Sequence, residues 1–312
     1  MSAVALSSLA GLFAIVTGVN DGGALLATGL KISSIPPLAG VLVMTVMVAL
    51  VPLLTHQVAT TFTTGLASAE GPSGQGVLAV AVLAALAVVA ILNNRGLPTS
   101  LTLAIVGALT GAGLGWGLPV SGGTVLFVLV VALAAPFVGA LLAILVRRWL
   151  IHRTHGRMLR QWHRAGFTLQ CLAYAANDSQ KMPAVFMLAL GLYAPPLSVC
   201  LIVAVLFGIG ALYGLPRAGR TLSRTIIASH PLDGVTAELA SGAAVVGCAA
   251  IGAPVSMTQT IAGALVGAGT AKGSGRVRWH SATKIALAWT LTLPVSGLLA
   301  AAAALVIRGV TA

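Results

Sequence analysis

Apolar runs of roughly 20 residues follow one another along nearly the whole chain, and they constrain its fold more than any other feature. Clear examples are residues 38–54, 76–92, 125–146, 197–212 and 286–306. Only 7% of the 312 residues are charged, whereas soluble domains carry about 25%. The sequence therefore predicts an all-α, polytopic membrane protein whose main surroundings are the lipid bilayer.

The basic residues lie at the ends of these apolar runs, and they give the chain a formal net charge of +12. This distribution is typical of the positive-inside rule, which places Lys and Arg in cytoplasmic loops. It does not favour a nucleic-acid-binding surface. The three densest clusters lie within residues 147–164, 217–224 and 272–284.

The chain contains an internal repeat. "GLPTSLTLAIVGALTGAG" begins at residue 96 and "GAPVSMTQTIAGALVGAG" begins at residue 252, so the offset is 252 − 96 = 156. A second pair, Asp21 in "GVNDGG" and Asp178 in "AANDSQ", has an offset of 178 − 21 = 157. We therefore divide the chain into a first repeat (1–146), a basic linker (147–164) and a second repeat (165–312).

The charges also predict a topology. If the linker is cytoplasmic, each repeat crosses the membrane about five times, so the second repeat is inverted and both termini lie outside. Inverted repeats with broken or re-entrant helices are typical of secondary transporters, whose substrate site lies near the midplane. The predicted spans are 4–30, 36–55, 75–93, 97–116, 121–146, 165–192, 196–214, 235–251, 253–271 and 284–307.

The duplicated motif predicts an anion site. Proline removes a backbone donor and breaks a helix, so each motif contains a helix that restarts after Pro98 or Pro254. Free N–H groups and the positive end of the helix dipole favour anions at such a point. An alternative is a pair of proline kinks whose hydroxyl groups bond back to the helix. The hydroxyl-bearing candidates are Thr99, Ser100, Thr102, Ser256 and Thr258.

Two aspartates are interpreted as the only acidic residues deep in predicted spans. Asp21 follows Asn20, and Asp178 follows Asn177. Carboxylate and amide oxygens are ligands that hard cations prefer, and an intramembrane aspartate can instead carry a proton. Asp178 could also form a structural pair with Lys181, three residues further along a helix.

Gln180 has two possible roles that the sequence leaves open. It could bind an ion or the anionic substrate, or it could satisfy backbone groups freed by Pro183. The three cysteines, Cys171, Cys200 and Cys248, are far apart in apolar segments, so neither a disulfide nor a metal site is predicted. No cofactor is expected beyond a coupling proton or sodium ion.

These motifs resemble those of the inorganic phosphate transporter family. The family's G-A-N-D-x-A-N aligns with residues 18–24, its H-G-A-N-D-A-Q-K with 174–181, and its duplicated G-x-P-V-S-T-T-H with 96–103 and 252–259. Further similar stretches are residues 219–226, 230–240 and 277–294, so the resemblance covers essentially the whole chain. It implies that the hydroxyl groups line a phosphate site and that the two Asn-Asp pairs flank it with cation or proton sites.

The chain departs from the family's motifs at several ligand positions. Ala24 replaces the second Asn of the first motif, Leu101 and Met257 replace a Thr in each repeat, and Tyr174 replaces a His. The His that ends each duplicated motif is also lost. These departures leave open which ion drives transport and whether phosphate or sulfate is carried.

The predicted function is symport of inorganic phosphate with a proton or sodium by alternating access, in a cell or inner membrane. A sulfate or other oxyanion carrier of the same fold is the main alternative. An anion channel is a second alternative. An intramembrane aspartyl protease, which would use both aspartates as a dyad, lacks its Y-D and G-x-G-D signatures here, so no enzymatic activity is expected. A homodimer is possible, and its presence is left open.

Overall fold

The computed structural model describes residues 2–29, 32, 34–55, 57–65, 71–95, 99–192, 194–226 and 230–311, and these residues form helices and connecting segments without a β-strand. The all-α prediction is confirmed. The helices are α1 (Ala3–Thr17), α2 (Gly23–Ala27), α3 (Pro37–Leu54), α4 (Gln57–Gly65), α5 (Gly71–Asn94), α6 (Leu101–Trp116), α7 (Gly122–Ile151), α8 (Arg157–Ala176), α9 (Lys181–Leu190), α10 (Leu197–Thr225), α11 (Pro231–Ala250), α12 (Met257–Thr270) and α13 (Trp279–Thr311).

Seven apolar helical stretches in the described residues are long enough to cross a membrane, which confirms a multi-pass protein. They include α3, α7, α11 and α13. By contrast α6 and α12 have 16 and 14 residues and rise about 24 and 21 Å, less than the ~30 Å hydrocarbon core. The spans predicted at 97–116 and 253–271 are therefore half-helices preceded by non-helical backbone.

The repeat found in the sequence recurs in the secondary structure. Helix α6 begins at Leu101 and α12 at Met257, an offset of 257 − 101 = 156. Asp21 lies in a π-helical segment, Gly18–Gly22, and Asp178 begins a 3₁₀ turn, Asp178–Gln180. Both aspartates thus lie at irregular helical backbone. The inverted orientation of the two repeats stays a prediction.

Each half-helix packs on the last long helix of the opposite repeat. A Cβ atom on Gly111 of α6 would lie 1.9 Å from the carbonyl oxygen of Gly297 in α13. The equivalent Gly267 of α12 approaches Ala140 of α7, where a Cβ atom would lie 2.1 Å from the carbonyl oxygen. Small residues allow membrane helices to pack at backbone distance, so these glycines hold the half-helices in place.

We expect Gly111→Ala and Gly267→Ala each to lower the thermal midpoint of the purified protein, because the added methyl group must push two backbones apart, at a cost of about 1–3 kcal/mol or more. The matched control is Gly247→Ala in α11, where the added methyl group would have no neighbouring atom within 4 Å. That change should be neutral or slightly stabilising. Equal midpoints for all three variants would contradict the close packing.

Helices α7 and α13 present their apolar side chains outward. Phe137 of α7 and Leu298 of α13 are 75% and 72% exposed. Apolar exposure on such a scale along helices of 30 and 33 residues is explained by contact with lipid tails. These two helices therefore form much of the bilayer-facing surface and support the half-helices from outside.

Helices from both sides extend into the segment that the charge pattern predicts as a basic linker. Helix α7 continues through Arg147 to Ile151, and α8 begins at Arg157. Arg147 is buried and forms an ion pair with Asp233, which also lies 3.5 Å from the Nζ atom of Lys272. Partial burial lowers the pKa of Lys272, and the Asp233 carboxylate opposes that shift. Arg147 thus has a structural partner in Asp233.

Candidate substrate and cation site

The helix break in the second repeat is stabilised by Asn177. Helix α8 ends at Ala176, and Asn177 leaves helical geometry with φ −125° and ψ −80°. Its side-chain Nδ2 donates to the carbonyl oxygen of Ala253 over 2.8 Å, and its Oδ1 accepts from the N–H of Val255 over 3.1 Å. Asn177 therefore ties the break before α9 to the break before α12.

Asn20 makes the corresponding link in the first repeat. Its Nδ2 donates to the carbonyl oxygen of Thr99 over 3.4 Å, and the Thr99 hydroxyl donates to its Oδ1 over 3.5 Å. Thr99 and Val255 are equivalent in the repeat, since 255 − 99 = 156. Both asparagines thus connect the Asp-bearing segment of a repeat to the start of that repeat's half-helix.

Asp178 brings the two half-helices together. Its Oδ1 accepts from the hydroxyl of Thr102 in α6 over 3.2 Å, and its Oδ2 accepts from the N–H of Met257, the first residue of α12, over 2.7 Å. A carboxylate at a helix N-terminus is favoured by the unpaired N–H groups and the helix dipole. The N-termini of α6 and α12, which come from opposite repeats, therefore converge on one carboxylate.

Lys181 completes this cluster. Its Nζ donates to Asp178, to the hydroxyl of Thr102 and, over 3.0 Å, to the carbonyl oxygen of Val255. The ring of Phe62 in α4 faces the ammonium group, which lies 6.0 Å from the ring centroid. The side chain of Lys181 is only 3% exposed. The Asp178–Lys181 pair that the sequence left as an alternative is present, and it includes groups from both repeats.

Asp21 has neutral partners. Its Oδ1 accepts from Asn20 over 2.8 Å, and its Oδ2 accepts from the hydroxyl of Tyr174 over 3.0 Å. It makes no ion pair with any residue that the structure describes. Tyr174, which replaces a family histidine, comes from the second repeat, so this carboxylate also joins the two repeats.

The hydroxyl groups of the duplicated motif are all buried. Ser100 is the N-cap of α6, and its hydroxyl oxygen accepts from the N–H of Leu103 over 3.3 Å. Ser256 lies at the same position of α12, where its hydroxyl is 2.8 Å from that of Thr258. The candidate substrate groups are therefore gathered at two helix N-termini in a region closed to solvent.

Gln180 bonds to backbone. Its Oε1 accepts from the N–H of Ala59 in α4 over 2.9 Å, and its Nε2 donates to the carbonyl oxygen of Ala176 over 2.7 Å. These bonds hold the short helix α4 against the break and satisfy the end of α8. A role for Gln180 in binding the substrate stays a prediction.

The interpretation of Asp21 and Asp178 as the only deep acidic residues is wrong. Glu238 is fully buried in α11, where it accepts from Thr28 over 3.0 Å and lies 2.9 Å from Nδ1 of His163. The signal is present in the sequence, because residue 238 falls within the predicted span 235–251. Residues 96–98 of the duplicated motif, which include Pro98, fall outside the described residues.

Comparisons with known proteins identify the family and the fold of the chain. A family model described as "Phosphate transporter family" matches residues 17–173 and 157–300. A "Probable low-affinity inorganic phosphate transporter" of Mycobacterium tuberculosis is 30% identical over 93% of this chain and 73% of its own length. A protein of the same name from Bacillus subtilis is 27% identical, and the match covers 93% of this chain and 92% of that protein.

A solved structure of a sodium-dependent phosphate transporter has a TM-score of 0.84 with 17% identity and covers 98% of both chains. At that identity the similarity concerns the fold. All these relatives are named as transporters, which confirms that the chain is not an enzyme and excludes the protease alternative.

Proposed function

The chain belongs to the phosphate transporter family, and from this membership we propose that it carries inorganic phosphate across the membrane together with a coupling cation. The observation that supports this most strongly is the convergence of α6 and α12 on Asp178, through Thr102 and the N–H of Met257. Two helix N-termini directed at one point provide the positive electrostatic environment that a multiply charged oxyanion needs.

Phosphate binds between these two N-termini. The first-turn N–H groups of a helix have no partner within it, and Ser100, Thr102, Ser256 and Thr258 add hydroxyl donors. The carboxylate of Asp178 lies at the same point and is an acceptor. Hydrogen phosphate carries a proton that it can donate there, whereas sulfate is fully ionised and has none. This difference favours phosphate over sulfate.

The coupling cation binds at Asp21. A carboxylate with only neutral partners in the described structure, held in a buried site, favours a proton or a small cation as partner. The chain has also lost oxygen donors near the site, at Ala24, Leu101 and Met257. Since an alkali cation needs about five or six oxygen ligands, by analogy with other hard cations, we propose that coupling uses protons or fewer sodium ions than in sodium-driven relatives.

Transport proceeds by alternating access between the two repeats. Asp178 with Thr102, and Asp21 with Tyr174, are contacts between opposite repeats that close the site. Breaking them on one side opens the site to that side, the rocking expected of repeat-built carriers. In this proposal the linker is cytoplasmic and both termini are outside.

The test is uptake of labelled phosphate and labelled sulfate by the purified protein in liposomes, with proton and sodium gradients imposed separately. We expect an inward proton gradient to drive accumulation of phosphate in the absence of sodium. Uptake that requires sodium and is indifferent to pH would contradict the proposed coupling. Equal uptake of sulfate would contradict the substrate, and uptake that never exceeds the external concentration would identify a channel.

Removing either motif serine should weaken phosphate binding. Ser100→Ala and Ser256→Ala each lose one hydroxyl, which is worth roughly 0.5–3 kcal/mol depending on whether the bond is charge-assisted. The matched control is Ser121→Ala, because Ser121 is also an N-cap serine, accepting from Thr124 over 3.3 Å, but is exposed at the start of α7. Equilibrium binding of phosphate measures all three. A loss shared by the control, or confined to one motif serine, would contradict a site formed by both repeats.

A further inference from the structure

Lys181 has the surroundings of a bound metal cation. Its Nζ contacts a carboxylate oxygen of Asp178, the hydroxyl oxygen of Thr102 and the carbonyl oxygen of Val255. Carboxylate, hydroxyl and carbonyl oxygens at interrupted helices are the ligands that membrane carriers use for sodium. Here the central position is taken by an ammonium group that is covalently part of the chain.

All three N–H donors of the Lys181 ammonium group are occupied in this arrangement. The group has three N–H donors, and the three oxygen atoms of Asp178, Thr102 and Val255 accept from it. The side chain is 3% exposed, so the ammonium group is buried together with these three oxygen atoms. The ring of Phe62 adds the weak attraction that an aromatic face has for a cation at about 6 Å. In this state Lys181 therefore has no donor left for phosphate.

The first repeat has no cationic side chain at the position equivalent to Lys181. The repeat offset of 157 places Ala24 at the position equivalent to Lys181, since 181 − 157 = 24. Asp21, the equivalent of Asp178, accepts from the neutral groups of Asn20 and Tyr174. The two equivalent aspartates thus differ in charge environment: Asp178 is ion-paired with Lys181, whereas Asp21 makes no ion pair with any residue that the structure describes.

We propose that the ammonium group of Lys181 is a tethered cation that occupies the cation position of the second repeat, so that only the position at Asp21 accepts a mobile ion. This rests on the proposed function in taking Asp21 as the position of the coupling cation, and on the repeat, which makes Asp178 its equivalent. Two carboxylates and one ammonium leave a single negative charge, which one monovalent cation neutralises. The protein therefore couples with one mobile cation at this pair of positions rather than two.

The proposal is tested by counting sodium ions on the purified protein without phosphate, so the result does not depend on transport. Binding of ²²Na⁺ and the sodium dependence of the thermal midpoint are measured for wild type, Lys181→Met, and Asp178→Asn combined with Lys181→Met. We expect wild type to bind at most one sodium ion per chain. Lys181→Met should bind one more and be stabilised by sodium but not by a bulky organic cation. The double variant should lose that extra ion.

Three results would overturn the proposal. One is two sodium ions on wild type, which needs no variant to fold. Another is a folded Lys181→Met that binds no additional sodium; if it also loses phosphate affinity, Lys181 is a substrate-binding residue. The third is that the double variant folds while Lys181→Met fails to fold even at high sodium. Under the proposal, a free sodium ion should replace the missing ammonium group in Lys181→Met and allow that variant to fold.

Discussion

Replacing Asp21 by asparagine is expected to reduce the initial rate of phosphate uptake by at least about 100-fold, the consequence of losing ~3 kcal/mol of interaction with the coupling ion. Asparagine keeps an oxygen that can accept from Asn20 or Tyr174 but carries no charge. It can neither take up a proton nor neutralise a metal cation. Because the change is nearly isosteric and leaves no ion pair broken among the described residues, the variant should remain folded.

The matched comparison for this variant is Tyr174→Phe, which removes one hydrogen bond to the same carboxylate over 3.0 Å and leaves the charge in place. We expect it to retain most of the uptake, with at most a tenfold loss for a charge-assisted bond of about 1.5 kcal/mol. Rates are measured in liposomes and folding by size-exclusion chromatography and thermal midpoint. Normal uptake by a folded Asp21→Asn protein would remove the cation role from this residue.

Replacing Asp178 by asparagine is expected to lower stability as well as abolish uptake. The change leaves the ammonium group of Lys181 buried without its carboxylate, and breaking one partner of a buried pair costs about 3–5 kcal/mol. Removing both charges, with Asp178→Asn and Lys181→Met together, should recover most of that loss because no uncompensated charge remains. The free energies of unfolding in mild denaturant complete a double-mutant cycle.

This cycle separates the structural role of the pair from its role in transport. The double variant should be more stable than Asp178→Asn and still fail to take up phosphate, because the carboxylate that joins Thr102 to the N-terminus of α12 is gone. An Asp178→Asn variant as stable as the double variant would show that the two charges do not stabilise each other. Uptake by the stable double variant would show that Asp178 serves the fold alone.

The duplicated motif allows the starts of the two half-helices to be predicted from sequence. Pro98 and Pro254 mark where backbone donors are lost. Helices α6 and α12 begin within three residues of them, at Leu101 and Met257. Glycines four residues apart in each half-helix pack against a backbone, which follows from the same repeat. Local chemistry determines these features, so a single sequence contains them.

Contacts between distant segments cannot be predicted in this way. Thr102 and Asp178 are 76 residues apart, and Gln180 and Ala59 are 121 residues apart. Nothing in the local pattern states which helices become neighbours, because any apolar helix is compatible with another in the bilayer. The assignment of Lys181 to three specific oxygen atoms depends on such contacts. So does the pairing of α6 with α13 across the repeats.

Glu238 escapes the sequence-based prediction for a different reason. Its sequence neighbourhood, "HPLDGVTAELA", begins with the polar residues that start α11, and these indicate a helix end rather than a buried position, although the predicted span includes the acid. In the structure it is seven residues into α11 and paired with His163. Counting turns from the N-cap, His230, identifies such a residue, because Glu238 lies about two helical turns into α11.

The measurement that most directly tests a shared site is an experimental structure of the protein in a bilayer mimic with phosphate present. We expect one tetrahedral anion per chain, within hydrogen-bonding distance of Ser100 or Thr102 on α6 and, at the same time, of Ser256 or Thr258 on α12. An anion bound at only one of these helix N-termini, or two separate anions, would contradict a single phosphate site formed jointly by the two repeats.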